Sequence, residues 1–167
     1  MNEEQARKIA ESRLEGSTIT LIEDYEELYA ISFVNDEYAL SCDYKDLKIG
    51  AGPMFIEKST GKVFETGSGR NVADYVEAYR ATGNFYANLS AKALITGILQ
   101  PENKSKSTIS LKNLLNLKLS EAKEIFEKVL AGDEVIVDFE SEYEAPKKIT
   151  LLQDFGFVAR QLWDSEC

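Results

Sequence analysis

The chain has 167 residues, of which 44% are hydrophobic and 29% are charged, and its formal net charge is −10. This composition is typical of a globular protein with one medium domain or two small ones, and the negative charge argues against nucleic-acid binding, which requires clustered Lys and Arg. The chain contains no histidine, so catalytic triads, Cys–His pairs and zinc sites built on imidazole are excluded.

The sequence also offers no targeting segment or cofactor motif. The acidic start, Met1-Asn2-Glu3-Glu4-Gln5, lacks the positive charge and apolar core of a secretory signal, and no apolar run is long enough to cross a membrane. We therefore expect a cytoplasmic protein that does not bind membranes. Cys42 and Cys167 have no metal-ligand spacing, so we expect two reduced thiols, no metal and no cofactor.

The first half of the chain is predicted to begin with a helix and two strands. Apolar residues recur at helical spacing over residues 2–15, and Gly16 ends this pattern. Residues 17–22 and 28–34 are rich in β-branched and aromatic side chains, which favours strands. Residues 38–47 fit neither period, and we predict a strand-like or irregular segment there.

A hairpin and a second helix follow. Residues 53–57 and 62–65 read as short strands, and the polar turn between them ends in Gly61, the residue that tolerates a positive φ. Residues 71–79 predict a helix capped by Asn71. Together these elements predict an α+β fold, in which helices cover one face of an antiparallel sheet and the other face stays available.

Gly-rich segments surround the polar turn of this hairpin. They are Gly50-Ala51-Gly52-Pro53, the turn Lys58-Ser59-Thr60-Gly61-Lys62-Val63 and Gly67-Ser68-Gly69. With the helices on either side, residues 2–82 resemble the immunity protein 35 family, a small α+β domain of bacterial polymorphic toxin systems. The resemblance implies a protein that is not an enzyme and that neutralises a cognate toxin by binding it directly.

The second half of the chain predicts a β-α-α-β-α-β order. Gly83 and Asn84 end the preceding helix, which divides the chain into domains 1–84 and 85–167. The predicted elements are a strand at 92–100, a polar loop at 101–107, helices at 108–116 and 120–130, a strand at 134–140, a helix from the capping box Ser141/Glu144 to Phe155, and a strand at 157–162.

This order, with Leu119-Ser120-Glu121-Ala122-Lys123-Glu124 and Phe155-Gly156, resembles the C-terminal domain of the bacterial ribosomal stalk protein over residues 90–163. In that family the two consecutive helices touch translation GTPases. Lys112, Lys118 and Lys123 fall in places comparable to lysines of the family. Asn116-Leu117-Lys118-Leu119 replaces its glycine-rich connection, however, and glutamates accompany the lysines. We expect the fold without ribosomal function, and the alternative function is an adaptor or ribosome-associated binding protein.

Acidic residues and tyrosines concentrate in the first half, which has a net charge of −7. The turn after the first strand is either a solvated loop, an acidic contact surface or a site for a hard cation, although it lacks the spacing of an EF-hand. Tyrosines beside acidic residues are interface candidates. We predict a partner-binding surface for the basic face of a toxin, formed by Glu23, Asp24, Glu26, Glu27, Asp36, Glu37, Tyr38 and Tyr44.

Residues 67–71 allow two interpretations. A glycine-rich start of a helix can bind an anion through its free N–H groups, or it can simply connect a strand to a helix. The segment lacks the length and the Lys-Ser/Thr ending of a P-loop. We predict no catalytic residues.

Overall fold

The computed structural model describes residues 1–164, so Cys167 lies outside the described residues. The chain divides into two units, the first spanning Met1–Glu77 and the second beginning at Ala78. The boundary lies within a helix, Val72–Thr82, whereas the sequence predicts the break at residues 81–84.

The first unit is built on a four-stranded antiparallel sheet. Its strands follow the order of the chain, so each strand pairs with the preceding one. This arrangement confirms the predicted α+β class, with an N-terminal helix, an antiparallel sheet and a closing helix. The elements are α1 (Glu3–Glu11), β1 (Ser17–Asp24), β2 (Leu28–Asn35), α2 (Asp36–Ser41), a 3₁₀ turn (Tyr44–Asp46), β3 (Ala51–Glu57), β4 (Val63–Gly67) and α3 (Val72–Thr82).

Helix α1 begins where the sequence predicts and ends earlier. The Asn2 side chain accepts a hydrogen bond from the Gln5 amide at 2.9 Å, and the Gln5 side chain accepts one from the Asn2 amide at 2.9 Å, which forms a capping box. The helix ends at Glu11 and not at residue 15. Ser12 forms the C-cap, and Gly16, at φ +71°, turns the chain into β1.

The core of the first unit lies where α1 packs on the middle of the sheet. Ala6 and Ala10 of α1 are fully buried in one cluster with Tyr29, Ile31, Met54 and Ile56 of β2 and β3. Small side chains on the helix permit close packing on the larger side chains of the sheet.

The opposite face of β2 and β3 is also buried. Leu28, Ala30 and Phe55 are inaccessible to solvent, and the Phe55 ring lies edge-on to Tyr75 of α3 with centroids 5.9 Å apart. Since successive residues of a strand point to opposite faces, this half of β2 is buried on both sides. The expectation of an available second face is therefore wrong here, because α3 supplies a ring to it.

The β3–β4 hairpin confirms the predicted turn. Gly61 has φ +74° in the segment between the strands. At the open end, β3 and β4 approach so closely that a Cβ on Gly52 would lie 2.0 Å from the carbonyl oxygen of Gly67. The glycine at this position permits contact between the two backbones.

The second unit contains the predicted β-α-α-β-α-β order. Its three strands form an antiparallel sheet with β5 in the centre, in the order β6-β5-β7, and this confirms the predicted second fold. The elements are β5 (Asn88–Ile98), a 3₁₀ turn (Pro101–Asn103), α4 (Lys104–Leu114), α5 (Leu119–Leu130), β6 (Val135–Asp138), α6 (Ala145–Asp154) and β7 (Phe157–Asp164).

The core of this unit is aromatic and aliphatic. Phe126 of α5 and Phe157 of β7 meet edge to face, with centroids 6.4 Å apart, and they are buried with Ile95, Leu111 and Leu152. Each strand and each α-helix of this unit thus contributes to one apolar cluster, α4 through Leu111.

Several boundaries in this unit differ from the prediction. Strand β5 spans Asn88–Ile98 instead of residues 92–100, and the N-cap of α6 is Glu144 and not Ser141. Helix α4 begins at Lys104, inside the predicted polar loop at 101–107, and Ser107 in its first turns donates a hydrogen bond to the distant Phe155 carbonyl oxygen at 3.3 Å. The N-cap of α5 is Lys118 and not Ser120, since the Glu121 carboxylate accepts a hydrogen bond from the Lys118 amide at 2.7 Å.

Candidate functional site

The predicted acidic residues separate into two groups at opposite ends of β2. Glu23 and Asp24 end β1, and Glu26 and Glu27 form the turn into β2. Asp36 and Glu37 begin α2, immediately after β2 ends at Asn35. A strand rises about 3.4 Å per residue, so the two groups are about 24 Å apart. The strands therefore do not bring the two turns together into one continuous surface.

The first group is largely engaged within the unit. The Lys58 ammonium contacts both the Asp24 carboxylate and the Tyr25 carbonyl oxygen, and it lies 4.6 Å from the centre of the Tyr29 ring. The Tyr25 hydroxyl donates to Glu23 at 3.2 Å. This turn is therefore fixed by its own partners, and it presents fewer available carboxylates than the sequence suggests.

The second group begins a helical segment that the sequence does not predict. Residues 38–47, expected to be strand-like or irregular, form most of α2 and a 3₁₀ turn. We refer to residues 36–49 as the 36–49 segment. Two acidic residues in the first turn of α2 interact favourably with the helix dipole, and Cys42 ends the helix in the left-handed conformation at φ 54°.

Asn35 holds this segment against the end of the sheet. Its side chain is 8% exposed, its amide nitrogen donates to the Glu37 carboxylate at 2.7 Å and to the Asp46 carbonyl oxygen at 2.8 Å, and its amide oxygen accepts from the Lys48 backbone at 2.9 Å. One side chain thus ties both ends of the 36–49 segment to the last residue of β2.

Charged contacts strengthen the same attachment. The Asp36 carboxylate accepts from the Thr18 hydroxyl of β1 at 2.7 Å, and Glu37 pairs with the Lys48 ammonium at 3.1 Å. Hydrogen bonds from Asn35 and then from Lys48 lower the pKa of the Glu37 carboxyl below its ordinary value of 4.5. Asp36 and Glu37 therefore orient α2 and leave charge at its surface.

The two predicted tyrosines meet on this segment. The ring centroids of Tyr38 and Tyr44 are 5.9 Å apart with a 42° tilt. Tyr44 is 80% exposed, whereas Tyr38 is half-buried, and its partial desolvation raises the pKa of its hydroxyl above 10.0. Tyr38 supports the ring of Tyr44 in a position where a partner can reach it.

Two exposed aliphatic residues, which sequence reasoning missed, belong to the same segment. Leu40 and Ile49 are each 88% exposed. The signal available in the sequence was Asn35-Asp36-Glu37, which is typical of a helix start and would have placed Leu40 on a short surface helix. Large apolar side chains exposed together mark interaction surfaces more often than isolated ones do.

A cavity of about 300 Å³ opens beside the segment. Its apolar lining comes from Phe33 and Val34 of β2 and from Leu47 and Ile49. Interfaces concentrate their binding energy where a side chain of one partner fills such a recess in the other. Exposed apolar residues and a recess therefore lie at the same end of the sheet.

Other predicted sites have simpler roles. The Asn71 side chain accepts from the Asp74 amide at 2.8 Å, which caps α3 as predicted. Within residues 1–164, no group of three or more His, Cys, Asp or Glu side chains has the arrangement needed to bind a metal ion. In the same range, no helix is long and apolar enough to span a membrane.

The lysines of α4 and α5 differ in their surroundings. Helix α4 carries Lys104, Lys106 and Lys112 and no acidic residue, whereas α5 carries three glutamates and two lysines. Lys128 pairs with Glu124 at 2.8 Å, and Lys104 contacts Glu127. Basic charge is therefore concentrated on α4, and α5 has mixed charge.

Comparison with protein-family models, with curated proteins and with solved structures gave no match for this chain.

Proposed function

We propose that this chain is a cytoplasmic immunity protein without enzymatic activity, and that it neutralises a cognate toxin by binding it through the 36–49 segment. The observation that carries the proposal is the exposure of Leu40, Tyr44 and Ile49 on a segment whose backbone is tied down by the buried Asn35 side chain. The resemblance of residues 2–82 to immunity protein 35 supplies the class of partner.

A fixed segment has an energetic advantage in binding. Ordering a flexible loop at an interface costs free energy that a preorganised surface avoids. Here the hydrogen bonds of Asn35 and the pairing of Glu37 with Lys48 hold the segment before any partner arrives. Aromatic and aliphatic anchors can then contribute most of the affinity.

The acidic residues have a separate part in this proposal. Asp36, Glu37 and Asp43 belong to the same segment as the anchors, where Asp43 pairs with Lys45 and Glu37 with Lys48. Complementary charge at the edge of an interface raises the association rate more than the affinity. The turn at residues 23–27 is about 24 Å away, at the opposite end of β2. We assign that turn to long-range attraction of a basic toxin and not to direct contact.

Co-expression with any secreted toxin-like protein encoded beside this chain tests the proposal. We expect growth rescue, co-purification and faster association at low salt. Tyr44→Ala should weaken the complex about 30-fold, since a central aromatic anchor contributes about 2 kcal/mol. Tyr143→Ala is the matched control, because Tyr143 is 87% exposed and lies in the second unit.

Two results would refute the proposal. Absence of both rescue and complex would reject immunity against that toxin, and a complex that is equally stable with Tyr44→Ala and Tyr143→Ala would reject the 36–49 segment as the binding surface. The adaptor alternative predicts a basic face on α4 and α5, and the charges divide between them: α4 carries three lysines and no acidic residue, whereas α5 carries three glutamates and two lysines.

A further inference from the structure

The sheet of the first unit contains a cleft between β2 and β3. The ladder that joins these strands ends at the pair Ile31 and Met54, although β2 continues to Asn35 and β3 already begins at Ala51. The last residues of β2 and the first residues of β3 therefore have no ladder partner in each other. Cavities of about 300 and 310 Å³ open at this place, and both are lined by Ser17, Phe33 and Ala51.

The backbone of Phe33 faces this cleft. At one end of β2 the Leu28 carbonyl oxygen accepts a hydrogen bond from the Tyr25 amide, and at the other end the Asp36 amide donates to the Gly16 carbonyl oxygen. Even-numbered residues of β2 thus direct their backbone groups toward β1. Because these groups alternate along a strand, those of Phe33 point toward β3, where the ladder has ended. Backbone N–H and C=O groups always need hydrogen-bond partners, so in the free chain those of Phe33 are left to water and stay available.

Contacts on both sides hold the cleft open. The ladder between β3 and β4 shifts register at the start of β3, where the Thr66 hydroxyl donates to the Pro53 carbonyl oxygen at 2.6 Å. The close approach of Gly52 to Gly67 also fixes this end of β3 on β4. Across the cleft, the Asn35 side chain is bonded to residues 46 and 48. The strands cannot close the cleft without breaking these contacts.

The cleft is apolar and adjoins the 36–49 segment. Phe33, which lines both cavities, is half-buried. Leu14 and Met54 line one cavity, and Leu47 and Ile49 line the other. Ile49 therefore belongs to the cleft and to the proposed binding surface. An extended peptide that adds to the edge of a strand is bound through its main chain, and its alternate side chains fill pockets beside that edge. Available backbone groups beside an apolar recess match this mode of recognition.

We propose that the toxin binds with an extended segment that lies in this cleft, whose main chain exchanges hydrogen bonds with Phe33 and whose apolar side chain packs on the Phe33 ring. This inference rests on the proposed function and adds the form in which the toxin presents itself. An edge strand or an extended tail meets the requirement. A helix does not, because the backbone groups in its interior are already bonded to each other.

Amide hydrogen exchange of the full chain, alone and in complex with the toxin, tests this inference. In the free chain the Phe33 amide should exchange at least tenfold faster than that of Ile31, which has Met54 as its ladder partner. In the complex its exchange should slow at least 30-fold. The Val34 amide, which faces β1 and lies in the ladder opposite Thr18, is the internal control and should change little.

Each contrary result has its own meaning. Equal protection of Phe33 and Ile31 in the free chain would overturn the open cleft. A complex in which the Phe33 amide keeps its free rate would overturn this inference alone, whereas absence of a complex would reject it together with the proposed function. Protection of Phe33 on concentrating the chain without toxin would assign the cleft to a second copy and overturn the toxin as its occupant.

Variants separate contact in the cleft from general effects on the fold. Ser17→Phe places a ring at a half-buried position that lines both cavities, so it should weaken toxin binding at least tenfold by filling the cleft. Thr20→Phe is the matched control and should bind normally, because Thr20 is exposed on the same strand and lies outside both linings. Urea denaturation verifies that both variants fold. Equal toxin binding by the two variants would contradict the proposal.

Discussion

Replacement of Asn35 by Ala removes the main attachment of the 36–49 segment. Three hydrogen bonds disappear, but the Glu37 carboxylate is exposed and regains its bond from water. The other two hydrogen bonds, to the Asp46 carbonyl oxygen and from the Lys48 amide, are lost. At a net contribution of about 1 kcal/mol for each bond, Asn35→Ala should lower the free energy of unfolding of the first unit by about 2 kcal/mol.

Amide hydrogen exchange measures this effect locally. The Lys48 amide is protected by the Asn35 side chain, so its exchange should accelerate about 30-fold in Asn35→Ala, the factor that corresponds to 2 kcal/mol. Urea denaturation gives the global change. Asn113→Ala is the control, because Asn113 is exposed on α4 and should alter stability by less than about 0.5 kcal/mol. Unchanged exchange at Lys48 in Asn35→Ala would refute this account of the segment.

Two further perturbations test the first unit. Gly52→Ala places a Cβ 2.0 Å from the Gly67 carbonyl oxygen and should lower the free energy of unfolding, measured by urea denaturation, by about 3 kcal/mol. Gly69→Ala, whose Cβ meets open space, should change it by less than about 0.5 kcal/mol. Equal losses of stability in the two variants would contradict the close approach of the backbones. Because the pKa of Glu37 is lowered in the folded protein, its ionised carboxylate stabilises the fold fully above pH 4.5, and this stabilisation is lost as the pH falls through the folded-state value. Amide hydrogen exchange in the 36–49 segment, corrected for intrinsic rates, should therefore accelerate below pH 4.5. Glu37→Gln should remove this pH dependence.

Much of the fold follows from local signals in the sequence. Asn2 and Asn71 cap helices as predicted, Gly61 has the positive φ expected of its turn, and the order of elements after Asn88 is the predicted one. Capping and turn residues act within a few positions of themselves, so their effect does not depend on the rest of the chain. The boundaries that differ involve distant partners, as at α4, where Ser107 donates a hydrogen bond to the Phe155 carbonyl oxygen.

The candidate site was less predictable for the same reason. Tyr38 and Tyr44 were identified because aromatic residues beside charges favour interfaces, yet the position of the segment that carries them depends on hydrogen bonds from Asn35 to residues 46 and 48. Leu40 and Ile49 do not belong to a run of alternating apolar and polar residues, so hydrophobic periodicity did not identify them. Nor could the sequence reveal that Lys58, from the other hairpin, neutralises Asp24.

The position of β5 in the centre of its sheet has a consequence for synthesis on the ribosome. In the first unit each strand pairs with the strand made just before it, so the sheet can grow as the chain emerges. Ile95 of β5, by contrast, pairs with Val135 and Ala159, which are made much later. At about 5–20 residues per second, β5 leaves the exit tunnel seconds before β7 does. During that interval its unpaired edge is open to pairing with strands of other chains, so slow translation of the region before Phe157 should favour aggregation of the nascent protein.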